Sequence, residues 1–580
     1  MYQALSAAAR CAVAQERNEQ GKVLWLLADA CSMMLSPSST NEPFKPYFVG
    51  YKSRSVISDD FLAADIAFFA EIVAEVDDHW LKARLSDLIW LKSKRKPGNT
   101  AFALMAIDAY CNLPLDAHTW NNGGDNCWRR AISLARLLKS GAGDRLEQME
   151  TLIVAEFNAT GAPDGYLAMW LAELLKSNRL GRMREVDVAS KLELLAHEFG
   201  CDSELYKSRD YFSAAADWWS AISDVSKAAD MTVALAESWV KEAIARSESD
   251  SPSHTVAASC YEQAIQTYRT VPRTERAKNR VDERIATLRV CLKDSNEKSL
   301  GEMALLRSPA VDITKLIQNS RDSVTGKSAT EALLAFSNLC PSANEDELRS
   351  TVLKSMREFP LQSLFASTYL GSDGQVVAKR AAMTMGMELK DEDETPIRAE
   401  MIRHHVNLVG IQVQGVILPA LEVLLFEHRL READFIELAR HSPIVPKERY
   451  RLFGKALFAG FERDFVTALH LLVPQIEHLV RFHLKQAGAT TTNLDKFGIQ
   501  NEIGLGKLME LPEIAGVFGK DLTFEFKSLF CDAFGPNLRN QLAHGLLDEA
   551  ACESQFVIYA WWLALRITMN TWWNAANEEQ

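Results

Sequence analysis

A chain of 580 residues with net charge −13, 47% hydrophobic and 24% charged residues has the length for several domains and the balance of an ordinary globular protein, which excludes disordered, fibrous and disulfide-stapled classes. Ten cysteines stand singly at positions 11, 31, 111, 127, 201, 260, 291, 340, 531 and 552; without Cys-x-x-Cys or paired spacing they predict reduced, mostly buried thiols. Residues 441–580 carry 13 Lys and Arg against 16 Asp and Glu, a balance of −3 that excludes a broad basic surface for long nucleic acid and leaves room for a short or structured RNA met by a few cations in a cleft.

Met1-Tyr2-Gln3-Ala4-Leu5-Ser6 lacks the basic and apolar regions of a signal peptide, and the apolar run from Phe556 to Met569 holds Arg566 and is too short to span a bilayer. A cytoplasmic protein without a membrane partner is therefore expected. Residues 1–35 show helical periodicity and end in the loop Ser36-Pro37-Ser38-Ser39-Thr40-Asn41-Glu42-Pro43. From Asp59 to Trp90 apolar residues such as Phe61, Ile66, Phe69 and Val73 recur at helical intervals. Lys92, Lys94, Arg95 and Lys96 form the densest basic cluster; before Pro97-Gly98 it reads as a solvated helix end favouring the C-terminal dipole, with RNA contact as the minor alternative. Asn121–Asp125 is a turn, and Trp128-Arg129-Arg130 opens a helix whose tryptophan reads as core. Residues 1–200 are thus a predicted N-terminal helical domain.

In 201–300 the pattern changes to Ala-rich helices with aromatics at fixed offsets, Tyr211-Phe212 with Trp218-Trp219 and then Tyr261 with Tyr268. Small residues let helices approach closely while aromatics fill the gaps, so this region is expected to form solenoid-like, tetratricopeptide-like (TPR-like) hairpins, although its spacing misses the thirty-four-residue period. Residues 301–440 form a helical connecting region. Within it Gly371-Ser372 and Asp391-Glu392-Asp393 are too far apart, and too charged in their flanks, for a nucleotidyltransferase site. His404-His405 point apart on a helix and lack ligand partners, which makes them structural. No other cluster in the chain suits a metal, so no metal or cofactor is expected.

The last predicted domain, 441–580, opens near Ser442-Pro443. A long amphipathic helix marked by Phe465, Leu469, Leu472, Ile476 and Leu479 is expected to kink at Pro474, with Glu477 and Arg481 placed to pair. Shorter helices and a Trp-rich final helix complete a bundle. Between them lies Gly535-Pro536-Asn537-Leu538-Arg539-Asn540-Gln541-Leu542-Ala543-His544-Gly545. Gly535-Pro536 breaks the preceding helix, Asn537 suits an N-cap and Gly545 a C′ position, predicting a helix over 538–544. Asn540 and His544 share a face, and the long Arg539 side chain is expected to swing past the helix end toward the same spot.

These residues resemble the HEPN superfamily, whose signature is an Arg, usually followed by a polar residue, with a His four to six positions on. Arg539-Asn540, three residues, then His544-Gly545 looks like a family of large, all-helical proteins of unassigned function defined by a C-terminal RNxxxHG motif. The resemblance extends through Leu472–Arg481 and covers roughly 400–575; Ala83–Trp90 and Ala106–Tyr110 also look like that family's N-terminal helices. It implies an all-α protein: a TPR-like array followed by a HEPN-type bundle. It further implies metal-independent RNA cleavage, in which the ribose 2′-OH attacks its own phosphate and leaves a cyclic phosphate and a 5′-OH. His544 would move the proton, Arg539 would meet the phosphate oxygens, Asn540 would orient either, and Glu477 would position Arg539 or His544. One motif holds one imidazole, so a homodimer through the C-terminal bundle is expected. The substrate would be tRNA or another structured RNA, and the role that of a regulated toxin or phage-defence enzyme. The alternative is a non-catalytic scaffold that dimerises and binds a protein on its helical array.

Overall fold

The computed structural model describes residues 1–50, 53–93, 97–201, 204–304, 310–371, 373–383 and 391–578. Lys94, Arg95 and Lys96 of the basic cluster, and Ser372 of the Gly-Ser pair, lie outside the described residues. The chain is 72% helix and 4% strand, so the all-α expectation is correct at the level of class. Among the described residues, strand occurs as three antiparallel hairpins, Met34–Leu35 with Phe44–Lys45, Ser367–Leu370 with Val376–Arg380, and Thr492–Leu494 with Gln500–Glu502. Two compact units result, Met1–Glu302 and Met303–Gln580.

In the first unit, helix starts are set by acidic caps: Asp78 accepts the Leu81 amide, Asp116 that of Thr119 and Asp224 that of Lys227. Trp128 is core, as its position implied, and its indole N–H donates to the Leu113 carbonyl at 3.2 Å. The neighbouring Arg130 is fully buried. Its Nε and Nη2 grip the Asp87 carboxylate at 2.9 and 2.8 Å, and Tyr110 donates to the same carboxylate at 3.1 Å. Two opposite charges thus neutralise each other, with a phenol hydrogen bond added, where a lone charge would be costly. Further on, the helices Glu185–Cys201, Leu205–Ala221, Val225–Ser247, His254–Thr270 and Val281–Ser299 each pack on the next. Ala215, Ala236, Ala243, Ala257 and Ala264 are fully buried along those contacts, with Tyr211, Trp218, Trp219 and Tyr268 between them.

In the second unit, residues on both sides of the boundary expected at 440/441 share one core that runs from Val324 to Met569. The cause is the terminal helix Gln555–Glu578. Its Trp561 donates to the Leu457 carbonyl and its Trp562 to the Phe336 carbonyl, each at 2.9 Å, and Asn570 exchanges hydrogen bonds with Asn338. Trp561 and Trp562 are therefore buried inside their own unit. Gly460 makes the approach possible, since a Cβ there would lie 2.3 Å from the Trp561 ring. The stretch Glu394–Glu427 is long and apolar enough, by length and composition, to cross a membrane; half of its apolar window is buried, where Val409, Val413, Ile417 and Leu421 join this core. His405, on the same stretch, sits between the Phe524 and Tyr559 rings, a structural place as expected.

Candidate functional site

The motif follows a turn that admits only glycine at its tightest point. A Cβ on Gly535 would lie 2.0 Å from the Ser528 carbonyl oxygen, and the turn is closed by Gly535 N–H donating to the Asp532 carbonyl at 3.1 Å. Arg398 pairs with the Asp532 carboxylate at 2.6 Å, tying the helix Glu394–Gln412 to this turn. Asn537 occupies the N-cap position, but not as a cap. Its backbone is left-handed at φ 49°, its side chain makes no capping bond, and its Oδ1 is buried without a partner. The carboxamide is spent on tolerating that backbone, which Asn does better than most residues.

The helix runs from Leu538 to Ala543 with His544 as its last, half-helical residue. Gly545, at φ 65°, donates to Leu542 at 3.0 Å and Leu546 to Gln541 at 2.9 Å, the paired closure that a C′ glycine was expected to supply.

Arg539 turns toward the long helix Phe465–Gln486, which runs unbroken through Pro474. Its Nε donates to Glu477 Oε2 at 2.9 Å and its Nη1 to Asn540 Oδ1 at 3.3 Å. The other Glu477 oxygen accepts from Arg481 Nη2 at 2.8 Å, so one carboxylate bridges two guanidiniums. Arg481 also donates to the Ile503 carbonyl at 2.7 Å and lies 3.0 Å from Glu502, which Lys485 meets at 2.6 Å. The hairpin 492–502 is thereby fastened beside the motif, and Gly504, just beyond it, leaves space that Arg539 fills: a Cβ there would stand 3.2 Å from Arg539 Nη2. Burial alone would raise the Glu477 carboxyl, but the hydrogen bonds from Arg481 and Arg539 outweigh it and hold the group below the usual range. Glu477 is a fixed anion. Nearby, burial pushes the Cys531 thiol up to about 12 despite the Arg539 charge, so it stays protonated.

Of the four expected site residues, the structure joins Arg539, Asn540 and Glu477 in one hydrogen-bonded set. His544 is exposed at the helix end and is not bonded to them, so Glu477 positions Arg539 and not His544. Sequence reasoning paired Glu477 with Arg481 through their spacing of four but missed Glu502, Ile503 and Gly504, whose approach depends on a hairpin with no marked sequence signal. Among the described residues no three His, Cys, Asp or Glu side chains gather as a metal site requires.

Residues 1–147 match a family described as a domain of unknown function (DUF7380). That match covers about a quarter of the chain and stops well before the motif. No curated protein and no solved structure matches. Chemically, the motif offers an always-charged guanidinium held in place from behind and a solvent-facing imidazole within a turn and a half of it. Arg539 keeps 31% of its side chain exposed against 18% for Glu477, so the arginine is the member of the pair that a ligand can reach.

Proposed function

We propose that this chain is a metal-independent endoribonuclease of HEPN type, its site formed by Arg539, Asn540 and His544, with Glu477 as positioning residue. The observation that supports the reading most is the Glu477–Arg539 contact, which ties the motif to a helix about sixty residues upstream and leaves part of the Arg539 side chain exposed. A phosphodiester docked on Arg539 would place non-bridging oxygens where negative charge builds as the 2′-OH attacks. His544 then moves the proton, drawn from the 2′-OH or given to the departing 5′ oxygen. Both roles together need two imidazoles, and a homodimer of the second unit supplies the second. The helices of 185–299 serve as a TPR-like array with a regulatory role, in a cytoplasmic toxin or phage-defence setting.

One observation favours the scaffold reading: the bonds from Arg539 to Glu477 and from Arg481 to the Ile503 carbonyl also join separate segments of the second unit. The deciding experiment incubates wild type, His544→Ala and Arg539→Ala with total cellular RNA and with tRNA, with and without EDTA, and follows melting temperature. The nuclease reading expects cleavage to 2′,3′-cyclic phosphate ends, unaffected by EDTA and lost in both variants, with the melting temperature unchanged in His544→Ala. Identical RNA profiles for wild type and His544→Ala would leave the scaffold that binds a protein partner.

A further inference from the structure

The first unit holds an open cleft of about 840 Å³ whose lining contains two arginines and no Asp or Glu. That is notable in a chain of charge −13. One wall is a single face of the helix Asp125–Leu138, where Arg129, Ser133 and Arg136 recur at helical spacing. The second wall is the end of the helix Leu167–Ser177, and the third is the loop after Met34–Leu35, including Ser36, Ser38 and Thr40. The loop is held from beneath. The buried Arg130, locked on Asp87, donates to the Thr40 carbonyl at 3.3 Å, and the Glu42 amide donates to Ser39 Oγ at 3.0 Å.

Arg129 donates to Ser177 Oγ at 2.8 Å and Arg136 to the Asn178 carbonyl. Each guanidinium carries five N–H donors, so these contacts orient both groups and leave most of their donors uncommitted. Neither arginine has a carboxylate partner among the described residues. They stand seven positions apart on one helix face, roughly 10 Å along its axis, and hydroxyls from all three walls line the same cleft. Guanidiniums recognise phosphate through paired N–H donors, and hydroxyls complete the shell.

We infer that this cleft binds a small organic phosphate with at least two phosphoryl groups, one on Arg129 and one on Arg136. A volume of this size suits a small molecule. The cleft belongs to the first unit and the Arg539 motif to the second, and the inference does not rest on the nuclease reading.

The test titrates the full-length protein with inorganic pyrophosphate at about 150 mM salt, where weak surface attraction is screened, and follows binding by calorimetry and melting temperature. Saturable binding is expected, weaker for orthophosphate, and about tenfold weaker in Arg129→Gln and in Arg136→Gln, the loss of a charge-assisted hydrogen bond. Because those arginines also cap a helix end, Ser133→Glu provides the independent variant: it sets a carboxylate between them from a half-buried position on the cleft wall, and should abolish binding with the melting temperature preserved. Absence of saturable pyrophosphate binding, or binding unchanged in Ser133→Glu, overturns the assignment. So does a short RNA that binds with the same variant dependence when pyrophosphate does not.

Discussion

Glu477 holds two guanidiniums, and removing its charge without its shape isolates what that does. Glu477→Gln leaves Arg481 and Arg539 facing each other without the anion, at a cost of about 1–3 kcal/mol for lost charge-assisted hydrogen bonds. A lower urea midpoint with a misplaced Arg539 is the expected result, read as a KM for RNA that rises in step with the loss of stability. Because the folded carboxyl lies below its ordinary range, its contribution is complete above the unfolded pKa and fades as pH falls through the folded one. His405 works in the same pH direction by a different cause. Burial between Phe524 and Tyr559 lowers its pKa to about 4, so the neutral ring is favoured in the fold. Stability is full above the unfolded value of 6.5 and drains between 6.5 and about 4, by on the order of 3 kcal/mol at the lower limit. His405→Phe keeps the ring and removes the titration. Urea midpoints measured at pH 7 and pH 5 should fall less for the variant than for wild type; equal falls would show that the acid sensitivity lies elsewhere.

At the scale of elements, the helix Tyr450–Phe461 and the terminal helix meet at a contact that leaves no room for a methyl group. A Cβ at Gly460 would approach the Trp561 ring to 2.3 Å, and Trp561 cannot retreat without giving up its 2.9 Å bond to Leu457. Gly460→Ala is therefore expected to destabilise the second unit by about 1–3 kcal/mol through overpacking, despite alanine's better helix propensity. A melting temperature at or above wild type would contradict the packing described. The motif helix is sensitive at its other end. Gly545 closes it at φ 65°, so Gly545→Ala should cost about 1 kcal/mol and loosen His544, whose position depends on that closure. Activity lost with little change in unfolding would be the sign of a site effect.

For the whole molecule, the shared core of residues 324–569 predicts which pieces fold. A fragment of residues 303–580 should unfold cooperatively by circular dichroism. A fragment of 441–580 should not, since it lacks Phe336, Val409, Ile417 and Leu421 of that core and would expose Trp562. A sharp melt for 441–580 would restore the shorter domain. If the first unit restrains the activity proposed for the second, expression of 303–580 should harm a host more than the full chain does; equal tolerance argues against restraint in cis.

The sequence by itself determined the helical class, the small-and-aromatic packing between 205 and 299, the pairing of Glu477 with Arg481, and the glycine closing the motif helix. All of these rest on periodicity, spacing or backbone freedom within a few residues. Where a domain ends was different: Trp562 and Phe336 are 226 residues apart, and no local pattern says that one indole will cap the other's carbonyl. The direction taken by Arg539 was also beyond the sequence. A long side chain at the first turn of a helix can reach either way, and it turned toward Glu477 because an anion already bridging Arg481 stood there, while His544 was left to solvent. The acid-free cleft needed three segments from residues 34 to 178 to converge; each is unremarkable in the sequence, and only packing sets Arg129 and Arg136 on one wall with no carboxylate opposite.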